Sequence, residues 1–287
     1  MRELNGSATD YQSINHDDMK QILLVCLFYA LSPSLAEAFE PTTHVYKEVN
    51  GRKLELHVFT PEQREELAAA IVWYHGGGWR EGKAGQFFEH GKILARRGMV
   101  SISVDYRGYA GTDPNSRDIS PCIRDAKSAF RWVKAHANEL GIDPKRIAAG
   151  GGSAGGHLAA ALGTLPGYNE KSDNLSIDTT PSLTVLFNPA VSPVKVVSND
   201  DVAPLNYINE STPEALIFHG THDTSVPIST AYEYQRLLQK HGTACSVISY
   251  DEQPHAFFNY SGGKNPYYYL TVGELLLYLE EKGYLKD

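Results

Sequence analysis

Residues 151–155 read Gly-Gly-Ser-Ala-Gly, with Ser153 at the centre of four small residues. The apolar run 146–150 precedes them, and the segment 156–162, which has a helical composition, follows. A chain that passes from a strand to a helix through so sharp a turn needs glycine at its flanks, and it lifts the central side chain out of the sheet. The pentapeptide therefore predicts a nucleophilic serine at the carboxyl end of a strand.

The rest of the chain alternates short apolar runs with amphipathic segments. Two runs that alternate polar and apolar residues surround Asn50-Gly51, which is typical of an antiparallel hairpin with a tight turn. Strands are predicted at residues 43–49, 53–59, 68–74, 100–104, 147–150, 183–187, 215–218 and 246–250, and helices at 87–97, 122–137, 155–165, 230–241 and 270–282. This order predicts an α/β fold with a mostly parallel eight-stranded sheet, helices on both faces and the antiparallel N-terminal hairpin at one edge. The functional site of such a sheet lies at the carboxyl ends of its strands.

Length and charge exclude several classes of protein. The chain has 287 residues, of which 42% are hydrophobic and 21% charged, as in ordinary soluble domains. Its formal net charge of −8 argues against nucleic acid or an anionic membrane surface as the main partner. The cysteines and histidines show no metal-ligand spacing, so we expect neither a metal nor a cofactor. We expect residues 39–287 to form a single catalytic domain.

The N-terminus has the pattern of an export signal that begins late. Met19-Lys20 supplies a positive charge, residues 22–31 form an apolar run, and Ala36-Glu37-Ala38 is a small-x-small cleavage pattern. The apolar run is shorter than the ~20 residues of a membrane span, so we expect no stable insertion into a membrane.

We therefore expect a leader at residues 1–38, in which a signal peptide at 19–38 follows a non-native or disordered extension at 1–18. The protein would then be exported, to the periplasm or the medium, and it would be cytoplasmic if the leader is not functional. The alternative is that residues 1–38 stay attached and pack as a helical cap over the active site.

Three consecutive glycines follow the third predicted strand, in the sequence His75-Gly-Gly-Gly-Trp79. Glycines leave backbone N–H groups uncovered, and those of Gly77 and Gly78 are expected to join that of Ala154 around the negatively charged oxygen of a tetrahedral intermediate. The alternative is a phosphate-binding loop, which needs a helix directly after it and a lysine in register. Residues 79–82 read Trp-Arg-Glu-Gly instead, which favours the oxyanion hole.

An acid and a base are expected after strands downstream of the serine. Asp223 follows the predicted strand 215–218, and His255 lies in the loop after the last strand. The order Ser153, Asp223, His255 along the chain is that of α/β-hydrolases. Asp223 has an alternative role as the N-cap of the next helix. Asp251 is a weaker candidate for the acid, because it lies early in the loop that carries the histidine.

These residues resemble the α/β-hydrolase esterases that carry an HGGGW loop, in particular the hormone-sensitive-lipase-like and the feruloyl- or acetyl-xylan-esterase-like bacterial families. The resemblance implies a serine carboxylesterase with no cofactor. It also implies that His75 and Asp105 support the oxyanion loop without reacting. The chain departs from the family at Ala256, where glycine is common after the histidine, and in the stretch after Asp105-Tyr-Arg107, which favours the carbohydrate-esterase-like branch.

The expected substrate is a small-molecule or carbohydrate ester with a short acyl or aryl group, such as an acetyl or feruloyl ester of a plant polysaccharide. Candidate side chains for binding it are those of Trp79, Asn188, Phe257 and Phe258, and the alternative for them is packing in the core. Two other hypotheses stay open: an amidase, peptidase-like or formamidase-like, with the same triad, and a non-catalytic binding protein of the same fold. The oligomeric state stays open as well.

Overall fold

A sheet of eight strands forms the centre of the structure, a computed structural model that describes residues 40–62, 66–109, 118–192 and 202–285. The strands are β1 (Thr42–Val49), β2 (Arg52–Phe59), β3 (Ala68–Tyr74), β4 (Val100–Val104), β5 (Ile142–Gly152), β6 (Thr184–Phe187), β7 (Ala215–Gly220) and β8 (Cys245–Tyr250). Their order across the sheet is β1-β2-β4-β3-β5-β6-β7-β8. β2 pairs antiparallel with both β1 and β4, and the other neighbours are parallel. The predicted fold class is confirmed.

The described residues form α-helices between the strands: α1 (Phe88–Arg96), α2 (Ser120–Ala135), α3 (Ala154–Thr164), α4 (Ser229–Lys240) and α5 (Pro266–Glu281). A 3-10 helix at Ala84–Phe87 leads directly into α1 and takes up only Phe87 of the predicted helix 87–97. The prediction for the last helix was wrong at its start, which lies at Pro266 and not at residue 270. Asn265 caps this helix, because its Oδ1 accepts a hydrogen bond from the N–H of Tyr267 at 3.1 Å, and proline suits the first helical position.

Burial explains which residues became strands. Every residue of β3 is buried, since β3 lies between β4 and β5 and is covered on both faces. β5 starts at Ile142, five residues before its predicted start, because the polar residues 143–146 interrupt the apolar pattern without ending the strand. In the hairpin, Asn50 and Gly51 have φ angles of 50° and 77°, the left-handed pair that a two-residue turn requires.

Helices cover both faces of the sheet. Residues of α2, α3 and α4 join one buried apolar cluster, and residues of α1 and α5 join a second cluster on the opposite face. Because β3, β5, β6, β7 and β8 run parallel, their carboxyl ends lie at the same end of the sheet. The loops that follow these strands carry the candidate site. The predicted leader, residues 1–38, lies outside the described residues, so the leader and the domain boundary at residue 39 stay predictions.

Candidate active site

Ser153 lies at the turn between β5 and α3 in a strained backbone conformation. Its φ of 53° and ψ of −115° are unusual for a residue with a side chain. The backbone holds it there, since the N–H of Ser153 donates to the carbonyl of Phe187 at 2.9 Å and its carbonyl accepts from Ala190 at 3.2 Å. A methyl group on Gly155 would collide with the carbonyl of Tyr74, so the elbow requires glycine there.

The structure brings together the three predicted triad side chains. Nε2 of His255 lies 2.9 Å from Oγ of Ser153, and Nδ1 of His255 lies 2.6 Å from Oδ2 of Asp223. With Nδ1 bearing the proton that Asp223 accepts, Nε2 presents a lone pair to the hydroxyl. The imidazole can therefore take the hydroxyl proton while the carboxylate stabilises the imidazolium that forms.

Asp223 is fixed by partners on both of its oxygens. Oδ1 accepts hydrogen bonds from the N–H groups of Ser225 at 2.9 Å and Val226 at 2.8 Å, which leaves Oδ2 for His255. Burial raises the pKa of Asp223, but hydrogen bonds from His219, His255 and the backbone of Val226 outweigh burial and hold the pKa well below its ordinary value. The acid is thus ionised across the neutral range.

His219, on β7, is a second histidine against the same carboxylate. Its Nε2 lies 2.9 Å from the carbonyl of Val226 and 3.4 Å from Oδ2 of Asp223. Both neighbours are acceptors, so Nε2 bears a proton and points it between them. His219 is not among the predicted site residues, although the sequence carries a signal for it, a histidine between the apolar run 215–218 and Gly220.

Hydrogen bonds to successive carbonyl groups fix the peptide orientations in the glycine loop after β3. The carbonyl of His75 accepts a hydrogen bond from the hydroxyl of Tyr106 at 2.6 Å, and Nδ1 of His75 lies 2.7 Å from the carbonyl of Gly76. The carbonyl of Gly77 accepts from the N–H groups of residues 80 and 81 at 3.1 and 3.0 Å. In a trans peptide the C=O and N–H point in opposite directions. The held carbonyls of Gly76 and Gly77 therefore fix the directions of the N–H groups of Gly77 and Gly78.

Gly77 and Gly78 are exposed, with φ angles of 110° and 60° that suit glycine. No residue in the described part of the chain accepts a hydrogen bond from the N–H of Gly77, Gly78 or Ala154. Ala154 is also the first residue of α3, where the positive end of the helix dipole lies. The loop and the helix start thus offer donors that no described residue engages, of the kind that stabilise an oxyanion, at about 3–4 kcal/mol for each well-placed group.

The two predicted supporting residues have different outcomes. His75 does hold the loop, through the bond to Gly76 and through stacking on Tyr106 with ring centroids 4.1 Å apart. The carboxylate of Asp105 pairs with Arg52 at 3.1 Å, and no hydrogen bond joins it to the glycine loop among the described residues, so its supporting role stays a prediction. The next residue, Tyr106, does hydrogen-bond the loop, because consecutive residues at the end of a strand point to opposite sides.

Of the predicted substrate-binding side chains, the structure buries all four. Trp79 is 3% exposed, and its indole N–H donates to Nδ1 of His157 at 3.3 Å. Phe257 and Phe258 are 6% and 1% exposed and belong to the core cluster of α1 and α5. These three side chains therefore pack in the core, as the alternative had it, and their contact with substrate stays a prediction.

Asn188 has a supporting role that the sequence did not reveal. It is fully buried, its φ is 36°, and its Oδ1 accepts a hydrogen bond from the N–H of Ala256 at 3.1 Å. Ala256 follows His255 and has a φ of 63°. Asn188 thus anchors the backbone of the histidine loop at its most strained residue, where the related family often has glycine.

Within residues 40–62, 66–109, 118–192 and 202–285, no group of three or more His, Cys, Asp or Glu side chains is arranged to hold a metal ion. Over the same ranges no helix combines the length and the apolar character that crossing a bilayer requires.

Comparison with known proteins places these features in a family. A family model described as BD-FAE matches residues 56–185, and the prolyl oligopeptidase family matches residues 173–273. A solved structure of esterase 2 from Thermogutta terrifontis, modified by tabun, is 33% identical, with a TM-score of 0.80 over 86% of this chain and 97% of that one. Other structures of the same esterase carry propionate or butyrate, or are phosphorylated by paraoxon.

Curated relatives agree with this placement. A probable carboxylic ester hydrolase, LipM of Mycobacterium tuberculosis, is 29% identical over 72% of this chain, and a probable isoprenylcysteine alpha-carbonyl methylesterase of Arabidopsis thaliana is 25% identical over 83%. The chain spans about half the length of these two relatives, 54% of each. The Thermogutta esterase, by contrast, is matched over nearly its whole length at more than 30% identity. The chain belongs to the esterases of the α/β-hydrolase fold.

Proposed function

We propose that this protein is a serine carboxylesterase in which Ser153 is the nucleophile, His255 the general base and acid, and Asp223 the residue that orients the imidazole. The observation that carries the proposal is the pair of contacts at His255, 2.9 Å to Oγ of Ser153 and 2.6 Å to Oδ2 of Asp223. The N–H groups of Gly77, Gly78 and Ala154, which have no acceptor among the described residues, support an oxyanion hole of the kind that such a nucleophile needs.

The reaction runs in two halves. Oγ of Ser153 forms a bond to the ester carbonyl carbon while its proton passes to Nε2 of His255, and the carbonyl electron pair moves onto the oxygen. That pair returns as the bond to the alcohol oxygen breaks, and the imidazolium protonates the leaving alcohol. Water then attacks the acyl-serine in the same way, giving its proton to His255, and the free acid leaves as Ser153 recovers its proton.

The proposed substrates are short acyl or aryl esters, including acetyl or feruloyl esters of polysaccharides. Propionate and butyrate bound to the Thermogutta esterase support short acyl groups. A panel of acetyl, butyryl, octanoyl and feruloyl esters tests the proposal. We expect the highest kcat/KM on the acetyl, butyryl or feruloyl ester, and a preference for octanoyl would overturn the short-acyl part.

An amidase is the second candidate, and the match of residues 173–273 to the prolyl oligopeptidase family favours it. Those residues include both Asp223 and His255, and the same triad serves peptide bonds. Matched nitrophenyl-ester and nitroanilide substrates with the same acyl group separate the two. An esterase cleaves the ester far faster, and faster cleavage of the anilide would replace esterase by amidase.

Two further proposals concern the whole protein. A binding protein of this fold would release no product from any ester in the panel, so turnover that is lost in Ser153→Ala rejects the binding-protein hypothesis.

The proposal of export depends on the leader pattern, and N-terminal sequencing of protein from the periplasm or medium tests this proposal. A mature chain beginning at Phe39 is expected, whereas protein that stays in the cytosol with its leader attached would contradict export.

A further inference from the structure

The side chain of Gln86 joins the two loops that carry the oxyanion donors and the histidine. Its Oε1 accepts a hydrogen bond from the N–H of Gly76 at 2.7 Å, and its Nε2 donates to Oδ1 of Asn259 at 2.8 Å. Gln86 lies in the 3-10 helix Ala84–Phe87, and neither Gln86 nor Asn259 has a place in the triad or the oxyanion hole. Both are only partly buried.

The amide orientations in this link follow from the donor at its start. The N–H of Gly76 can only donate, so Gln86 must present its oxygen to Gly76 and its NH2 group to Asn259. Asn259 must in turn accept through its oxygen. Every group in the link is thereby assigned to one role, and a side chain that lacks either a donor or an acceptor at position 86 breaks it.

Asn259 is itself tied to the histidine loop. Its N–H donates to the carbonyl of Ala256 at 3.2 Å, and its own carbonyl accepts from Nδ2 of Asn265 at 2.8 Å. The same Nδ2 of Asn265 donates to the carbonyl of Phe257 at 2.6 Å. The loop from residue 255 to residue 259 is thus held to the start of α5, and Gln86 connects this assembly to the glycine loop.

The other end of the link lies against the nucleophile. A methyl group on Gly76 would lie 3.6 Å from both Oε1 of Gln86 and Cβ of Ser153. The peptide between His75 and Gly76 is held at its oxygen by Tyr106 and at its nitrogen by Gln86. Since the peptides of Gly77 and Gly78 follow directly, the position of this first peptide sets where the donors lie relative to Oγ of Ser153.

We propose that Gln86, acting through Asn259, is a positioning residue that fixes the oxyanion donors and His255 relative to one another. This inference rests on the proposed esterase function and adds a requirement to it. Among the described residues neither Gln86 nor Asn259 has a hydrogen bond to the side chain of Ser153 or His255, so the link acts through the positions of the donors and of the histidine. Its loss should reduce stabilisation of the transition state and leave ground-state binding nearly unchanged. Misplacement of catalytic groups by about 1 Å can cost 10²-fold in rate.

The test compares Gln86→Met and Asn259→Ala with wild type and with a control, Gln235→Met. Gln235, in α4, is also partly buried and also donates its amide, to the carbonyl of Cys245 at 2.9 Å. Cys245 is the first residue of β8, so this hydrogen bond lies at the amino end of the parallel strands, away from the site. The measurements are kcat and KM on a nitrophenyl ester, the affinity for a trifluoromethyl ketone, which forms a tetrahedral oxyanion with the serine, and the Tm.

We expect kcat to fall about 10–100-fold in Gln86→Met and in Asn259→Ala, with KM within about threefold of wild type. Affinity for the trifluoromethyl ketone should fall in parallel, and the double variant should be little worse than either single one, because one link is broken in all three. Asn259→Asp keeps an acceptor for Gln86 and should recover most of kcat.

Three results would overturn the inference: wild-type kcat and inhibitor affinity in folded Gln86→Met and Asn259→Ala, a change in KM alone, or an equal loss in Gln235→Met. Each leaves the esterase proposal intact, because wild-type enzyme still turns over ester. Failure of that proposal has a separate signature, the absence of ester hydrolysis by wild type itself.

Discussion

The phenyl ring of Phe258 packs directly against Gly152, the residue before the candidate nucleophile, such that a methyl group on Gly152 would lie 2.6 Å from Cζ of the ring. Phe258 is held in turn by stacking on Phe187, with ring centroids 4.3 Å apart, and on Phe87, at 6.1 Å. The elbow of Ser153 therefore rests on a layer of aromatic side chains. An α-carbon without a side chain at residue 152 is what lets that layer approach.

Gly152→Ala should destabilise the fold and lower kcat, since the added methyl group must displace either Phe258 or the elbow. Overpacking of this kind costs about 1–3 kcal/mol. Urea unfolding and kcat on a nitrophenyl ester measure the two effects. Gly85→Ala is the control for stability, because a methyl group there meets no atom within 4 Å. Adding Phe258→Leu to Gly152→Ala should restore part of the loss, and equal stabilities of Gly152→Ala and wild type would refute the contact.

Asp223→Asn should fold normally and lose about 10⁴-fold in kcat, the size of effect that the equivalent change has in a serine protease. The N–H groups of Ser225 and Val226 both need an acceptor, so the amide must turn its oxygen to them and its NH2 group to His255. Nδ1 of the imidazole then becomes an acceptor and the proton moves to Nε2, where it blocks abstraction from the serine. Steady-state kinetics and Tm check this, and near wild-type turnover would mean that another acid serves.

Asn188→Ala should lower kcat by at least tenfold with little change in KM, because it removes the acceptor that holds the N–H of Ala256 next to His255. The variant tests positioning and not substrate binding, since Asn188 is fully buried. A variant in which KM rises while kcat stays unchanged would instead assign Asn188 to the substrate pocket, as the sequence suggested.

His90 should make the protein sensitive to acid. It lies among the rings of Trp73, Phe87, Phe187 and Tyr268, and neither ring nitrogen has a partner among the described residues. Burial lowers its pKa from 6.5 to about 3. Below pH 6.5 the unfolded chain binds a proton here that the folded chain does not, so stability falls as the pH drops from about 6.5 toward 3.

His90→Phe should remove this part of the acid loss, which amounts to about 2 kcal/mol between pH 7 and pH 5. The measurement is the unfolding free energy from urea titrations at both pH values. His222→Gln, at an exposed histidine, is the control and should keep the wild-type difference. An unchanged pH difference in His90→Phe would show that other groups cause the acid sensitivity.

Much of the fold could be predicted because burial leaves a mark on the sequence. β3 and β4 have the predicted bounds, 68–74 and 100–104, since each is an uninterrupted buried run. β5 was predicted too short because Asp143 and its polar neighbours hide its first half. The predicted start of α5 at residue 270 lies four residues late, although Asn265-Pro266 is a recognisable capping pair, because the prediction follows the aliphatic pattern that begins at Leu270.

The residues of the candidate site likewise include some that the sequence predicts and some that it does not. Ser153, Asp223 and His255 could be proposed because each follows a strand, and parallel strands end at one edge. Asp105 and Tyr106 could not be told apart, since the sequence does not say which of two adjacent side chains faces the glycine loop. The link from Gln86 to Asn259 spans 173 residues of chain and leaves no pattern in either segment.

Covalent labelling with paraoxon, which phosphorylates the related Thermogutta esterase, tests the central claim most directly. Intact-protein mass spectrometry followed by peptide mapping should find one diethylphosphoryl group per chain on Ser153 of the wild type, and none in Ser153→Ala. Labelling that persists in folded Ser153→Ala, or that maps to another residue of the wild type, would contradict the assignment of Ser153 as the nucleophile.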